Sequence, residues 1–307
     1  MKTIAISVGD LNGIGIQLAL ENHDEIKNLI RPLYCIDREM LEQASLLLNL
    51  PIPDDFECHE NIAPMFTITP SIISKESGAY AFASFKKAVQ LTKDKVVDGV
   101  MTLPIHKKAW EEAGIEYKGH TDALRDFFNA PAIMMLGCPS MYVALYTEHI
   151  PLRDVYKEVK NIQKLSQFLI NFFMSIDINK DEKIALLGLN PHAGDDGVLG
   201  DEERYIIEAT QLAHKKIGKE VYTQPLVPDV AFTPNSRKRY RYFVVMYHDQ
   251  GLAPLKALYF DEGINISLNL PILRNSVDHG TAFDIAYKGV KLNNLSYKNA
   301  LNYFVIT

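Results

Sequence analysis

The chain has 307 residues, 47% hydrophobic and 23% charged, with a formal net charge of −6 and a pI near 5.9. This is the composition of a soluble globular protein of one large domain or two lobes, and an acidic balance without a long basic run argues against a nucleic-acid surface. No stretch approaches the ~20 apolar residues that span a bilayer. The run Ile4–Val8 is too short for a signal-peptide core. Cys35, Cys58 and Cys138 are scattered without a CxxC pair and read as reduced thiols of a cytoplasmic protein.

In chain order, Lys2–Val8 reads as a strand, followed by a turn over Gly9–Gly15 and a short helix. Leu33–Ile36 is a second strand candidate, with a helix over Arg38–Leu48. Ser77–Lys93 has the apolar spacing of an amphipathic helix, and Val96–Met101 reads as a strand. Thr102-Leu103-Pro104 ends that strand, with the proline suited to the first turn of a helix. Ile133–Leu136 and Met141–Leu145 are further strands, and Val155–Met174 is one long helix. Ile184–Leu189 and Tyr242–Met246 are buried apolar runs, while Asp201–Ile217 and Gly280–Tyr287 read as helices. This alternation predicts an α/β fold with a largely parallel sheet. Without a low-complexity linker or internal repeat, residues 1–307 read as one unit of two α/β lobes sharing a central cleft.

Three histidines follow apolar runs: His149, His192 and His248. Ligands of open α/β folds bind at the carboxyl ends of strands. Singly, each histidine reads as a hydrogen-bonded structural residue; together they point to one divalent ion with open positions. His192 lies in the turn-rich Asn190–Gly197. His248 opens Tyr247-His248-Asp249-Gln250-Gly251-Leu252-Ala253-Pro254-Leu255-Lys256, where Asp249 is placed to orient it.

A second group suits an anion. Gly119-His120-Thr121-Asp122 opens a helix, either as an anion seat or as a plain cap using Thr121. Lys256, Asn265 and Arg274 lie beside apolar segments, where a charge is wasted unless it meets an anion. Arg274, after Leu270-Pro271-Ile272-Leu273, reads as leaving a strand end and suits a two-point clamp on phosphate or carboxylate. Gly9–Gly15 lacks the GxGxxG order of a dinucleotide fingerprint. Ser276–Asp284 sets His279 and Gly280 at a predicted helix start, a seat for a nucleotide or a turn capped by Asp278. No GxSxG serine elbow is present.

Gly119-His120-Thr121, Thr147–Asp154, Leu189–Gly194, Pro228-Asp229, Tyr247–Lys256 and Asn265 through Asp284 together resemble the 4-hydroxythreonine-4-phosphate dehydrogenase family of pyridoxal phosphate biosynthesis. The resemblance runs over nearly the whole chain. It implies a fold similar to isocitrate and isopropylmalate dehydrogenases, paired as a homodimer with the active site at the interface. It implies His149, His192 and His248 as ligands of zinc, magnesium or cobalt, and His120, Thr121, Lys256, Asn265 and Arg274 as substrate contacts. His279, Gly280 and Thr281 would meet NAD, with NADP as the alternative nucleotide. Asp249 and Asp229 are the candidates for proton handling, with Lys107 a weaker one.

The implied reaction oxidises 4-phosphooxy-L-threonine at C3 and then loses carbon dioxide, giving 3-amino-2-oxopropyl phosphate. Two readings compete: a dehydrogenase of another phosphorylated hydroxy acid, such as a four-carbon sugar acid phosphate, and a phosphate acyltransferase of related fold. A non-catalytic binding protein fits the concentration of ionisable residues least. The chain departs from the family pattern at Leu11, Asn12, Ile16 and Gln17, and at Tyr287, where a glycine is usual.

Overall fold

The computed structural model describes residues 1–306. The chain divides into two compact units: residues 1–130, 264–266 and 270–306 form the first, and residues 131–263 and 267–269 the second. Among the described residues, no helix is long and apolar enough to cross a membrane.

The chain starts with β1 (Thr3–Ser7), α1 (Gly15–Ile26), β2 (Arg31–Cys35) and α2 (Arg38–Leu48). Next come α3 (Lys75–Lys93), β3 (Gly99–Thr102), α4 (Lys107–Glu112) and α5 (His120–Phe128). The second unit carries β4 (Ile133–Cys138), β5 (Met141–Leu145), α6 (Leu152–Val159), α7 (Ile162–Met174) and β6 (Ala185–Leu186). It continues with α8 (Glu203–Ile217), α9 (Pro234–Arg239), β7 (Tyr242–Val245) and α10 (His248–Tyr259). The chain ends with β8 (Ile264–Leu268), β9 (Arg274–Val277) and α11 (Leu295–Ile306).

In the first unit β1 pairs in parallel with β2 on one side and β3 on the other, and β3 pairs in parallel with β9. Parallel strands covered on both faces need continuous apolar runs, and Val100, Met101, Ala5 and Ile6 are all fully buried. The long α3 starts on Ser74, whose side chain accepts from the Ser77 amide. It sends Phe85, Ala88 and Val89 into a core shared with Ala5, Val100, Trp110 and Leu124.

In the second unit β4 and β5 form an antiparallel pair, and β5–β7 and β7–β6 are parallel. Its core gathers Met141, Val143, Phe243, Val245, Leu252 and Leu255. Glycine at 251 lets α10 lie directly on β5, because a β-carbon there would stand 2.4 Å from Val143 Cγ1.

The α/β class and the mostly parallel strands match the sequence expectation; four local expectations are corrected. Residues 155–174 form two helices, because Asn161 leaves the helical region and its side chain caps α7 by accepting from the Lys164 amide. Pro104 precedes a non-helical stretch, and α4 starts only at Lys107. Gly280–Tyr287 forms turns, with Ala282 and Tyr287 both at positive φ and the Tyr287 hydroxyl donating to Leu11 O at 2.6 Å. Arg274 opens β9 instead of leaving a strand.

Candidate active site

The first unit holds four of the anion-binding candidates, His120, Thr121, Asn265 and Arg274. Arg274 is only 2% exposed. Its guanidinium donates to Thr102 Oγ1 at 2.5 Å and, at the outer limit of a hydrogen bond, to Asn265 Oδ1 at 3.5 Å. Register brings these groups together: β9 runs beside β3, with Ser276 opposite Thr102. Burial pulls the guanidinium down to about 9, so it keeps its charge at neutral pH.

His120 and Thr121 are the first two residues of α5, after Gly119 in extended backbone. Thr121 is buried. His120 stands edge-on to Phe85 at 4.8 Å and to Trp110 at 5.4 Å between ring centroids. Burial, and after it the charge of Arg274, hold its imidazole well below the usual histidine range. A neutral imidazole at a helix start, near a buried cation, suits an anion: the helix dipole favours it without a second full charge.

The same unit joins the glycine turn to the His279–Thr281 segment. Thr281 O accepts from the Ile14 amide at 3.1 Å, and a β-carbon on Gly13 would lie 2.8 Å from that same oxygen. Asp10 is fully buried in the turn, accepting from the Asn12 amide at 3.0 Å and Ser77 Oγ at 3.3 Å. Burial outweighs both bonds and pushes its carboxyl up to about 6. His279 is part-buried and Gly280 exposed, with His279 Nδ1 3.1 Å from Gly280 O. Lys107 is exposed at the start of α4.

The second unit holds the metal candidates. The His149 and His248 rings lie 5.4 Å apart. His248 is the first residue of α10, and its Nδ1 meets Asp249 Oδ1 at 2.7 Å, which leaves Nε2 for another partner. Two ties hold the strand ends that carry these histidines. Thr147 Oγ1 donates to Met246 O at 2.6 Å, and Gln250 bridges the Met246 amide to Gly188 O at 2.7 Å each.

His192 lies in the turn segment Pro191–Gly197, where His192, Ala193, Asp195 and Asp196 all have positive φ. Left-handed backbone costs such residues roughly 1–2 kcal/mol each and persists only where the surroundings enforce it. Glu203 is the anchor, accepting from the Leu189 and Asn190 amides at 2.8 Å and from Asn190 Nδ2 at 2.9 Å. Among the described residues, no three His, Cys, Asp or Glu side chains converge into a metal-holding group. His149 and His248 are the two candidate ligands whose rings lie together, and His192 does not close a set of three in this arrangement. Asp229 is exposed, and Lys256 is half-buried on α10 with its ammonium 5.5 Å from the Phe260 ring centre.

The sequence reading missed Thr102, Trp110 and Phe85 around the anion group, Asp10 in the turn, and Gln250 and Glu203 behind the histidines. Gln250 sits inside the Tyr247–Lys256 motif, so its place there was the available signal. The others act across long separations, and nothing local marks them.

These groupings define an α/β protein with a buried arginine and histidine in one unit and a histidine pair beyond strand ends in the other. Comparison narrows the class. Residues 28–304 match the family described as pyridoxal phosphate biosynthetic protein PdxA. A 4-hydroxythreonine-4-phosphate dehydrogenase of Sulfurimonas denitrificans is 56% identical over 97% of this chain and 95% of its own length. One from Campylobacter fetus is 52% identical over 99% and 98%. The crystal structure of a 4-hydroxythreonine-4-phosphate dehydrogenase from Klebsiella pneumoniae superposes with a TM-score of 0.84 at 28% identity, covering 100% of both chains. The chain belongs to the PdxA family.

Proposed function

We propose that this chain is an NAD-dependent 4-hydroxythreonine-4-phosphate dehydrogenase. It would oxidise 4-phosphooxy-L-threonine at C3 and release carbon dioxide to give 3-amino-2-oxopropyl phosphate. The observation that carries the reading is Arg274: a guanidinium 2% exposed, fixed by Thr102 and Asn265, with a neutral histidine in its field. A buried guanidinium can take a phosphate or carboxylate in its planar fork, with charge-assisted bonds strengthened by burial. The 4-hydroxythreonine-4-phosphate dehydrogenase name of the relatives supports a phosphorylated hydroxy amino acid as that anion.

On this reading Arg274 binds the phosphate or carboxylate in its planar fork, and Asn265 holds the fork's angle. His120 and Thr121 add donors from the start of α5, and Lys256 serves the other anionic end. His149 and His248 would hold a divalent ion, with His192 as third ligand, and His279, Gly280 and Thr281 would contact the nucleotide. When bound, these cofactors supply a Lewis acid for the C3 oxygen and an acceptor for the hydride. Asp249 is already engaged with His248 and orients it, which leaves Asp229 to take the hydroxyl proton. The protein would work as a cytoplasmic homodimer.

The rival reading is a dehydrogenase of a four-carbon sugar acid phosphate, whose anions would be gripped in the same way. The test is NADH formation from the two phosphorylated acids offered separately to the purified protein. Turnover of the amino substrate at much the higher kcat/KM supports the reading; preference for the sugar acid phosphate overturns it.

A further inference from the structure

Trp110 is the chain's one tryptophan and is fully buried on α4. Its indole sits among Phe82 at 5.1 Å, Phe85 at 6.2 Å and His120 at 5.4 Å, the last edge-to-face at 82°. Within this aromatic box two polar atoms are enclosed with no hydrogen-bond partner, Trp110 Nε1 and His120 Nε2. The nearby Tyr117 hydroxyl is taken up by Asp126 at 2.5 Å.

The two atoms are complementary. An indole nitrogen can only donate, whereas a neutral imidazole nitrogen donates or accepts according to its tautomer. In a dry box an unmatched donor and acceptor are both costly, so a pairing has strong drive. The rings stand edge to face with centroids 5.4 Å apart, so the pairing requires the imidazole to rotate until the two nitrogens reach hydrogen-bond distance. Burial and the neighbouring Arg274 both disfavour the imidazolium, so the open question is which nitrogen carries the single proton.

We propose that Trp110 is a positioning residue whose indole N–H holds His120 Nε2 as an acceptor, keeping the proton on Nδ1 and making His120 a neutral, one-directional donor to the substrate's phosphate or carboxylate. Arg274 then carries the charge and His120 the direction. The functional half rests on the reading of His120 as a substrate contact; the tautomer does not.

Because tryptophan occurs once, its indole N–H gives one resonance. In the free protein that resonance should be protected from exchange and should move in His120→Phe, which keeps a ring but removes the acceptor. Nitrogen-15 spectra of labelled histidine should show His120 with Nδ1 protonated and Nε2 bare. Trp110→Phe keeps the packing ring, and the proton should then divide between both nitrogens. In that variant KM for the phosphorylated substrate should rise about tenfold, the worth of one ordinary hydrogen bond, with kcat changed less.

An indole resonance unmoved by His120→Phe, or a protonated Nε2 in the parent, overturns the Trp110–His120 pairing whatever the substrate proves to be. If Trp110→Phe does not fold, those two measurements on the parent and His120→Phe decide it. A confirmed tautomer with an unmoved KM overturns the functional half. Absence of turnover on the phosphorylated acid by the parent itself would instead count against the proposed function.

Discussion

Replacing Arg274 by lysine keeps one positive charge and most of the volume, and removes the planar fork. The guanidinium reaches Thr102 Oγ1 at 2.5 Å and Asn265 Oδ1 at 3.5 Å while its charge stays 2% exposed. An ammonium at the same place can keep the Thr102 bond or turn to the ligand, but it cannot reproduce two parallel donors toward an anion. The loss is therefore about one charge-assisted hydrogen bond, roughly 2 kcal/mol. That corresponds to about 30-fold in kcat/KM. Burial also lowers a lysine's pKa, so part of the population sheds the charge and the loss grows with pH. Steady-state NADH formation across substrate concentrations is the assay, with thermal unfolding to show that Arg274→Lys still folds. A folded variant whose kcat/KM stays within about twofold of the parent would refute the clamp and assign Arg274 to structure.

Asp10→Asn should stabilise the protein at about pH 8, by up to roughly 3 kcal/mol for a carboxyl lifted from 3.8 to about 6. The raised native pKa means stability falls as pH rises between those values, so the gain should close by about pH 4; equal denaturant midpoints at the higher pH would count against it. Gly13→Ala drives a β-carbon to within 2.8 Å of Thr281 O. It should cost about 1–3 kcal/mol and raise the NAD requirement more than the substrate requirement, and an unchanged KM for NAD would remove Thr281 from the nucleotide site. His248→Ala should lower bound metal, measured by elemental analysis of dialysed protein, without unfolding it; normal metal content would exclude His248 as a ligand. Mixed dimers of His248-defective and Arg274-defective subunits should regain activity if the two residues serve one site across the interface, whereas verified heterodimers without recovery would place both within one subunit's site.

The fold class was legible because buried parallel strands leave uninterrupted apolar runs, as in Tyr242–Val245, which is parallel to both its neighbours. What local pattern could not show was the breaks. Asn161 ends one helix and caps the next through a single side chain, and the hydrophobic period runs straight through it. Ala282 and Tyr287 adopt left-handed backbone that neither residue favours, so Gly280–Tyr287 carries a helical pattern and turns instead. The Tyr287 hydroxyl, which donates to Leu11 O, ties this turn to the Gly9–Gly15 turn.

Arg274 was legible as a charge beside an apolar run, and His149 and His248 as imidazoles following apolar runs. Their supports were not. Thr102 reaches Arg274 across 172 positions, and Glu203 holds the His192 segment from the next helix. Such partners are chosen by sheet register and packing, which no window of sequence contains. Asp10 is the sharpest case: its motif was visible, while the burial that perturbs its carboxyl appears only once Ser77 and the Asn12 amide close around it.

The most direct test of the central claim is the product balance on 4-phosphooxy-L-threonine. Purified protein, stripped with a chelator and then resupplied with zinc, magnesium or cobalt, would be assayed for NADH and carbon dioxide together. The account predicts equal yields of the two, lost on stripping and restored by a divalent ion. Undiminished turnover in protein verified to be free of metal, or no NADH from this substrate with any of the three ions, would contradict it.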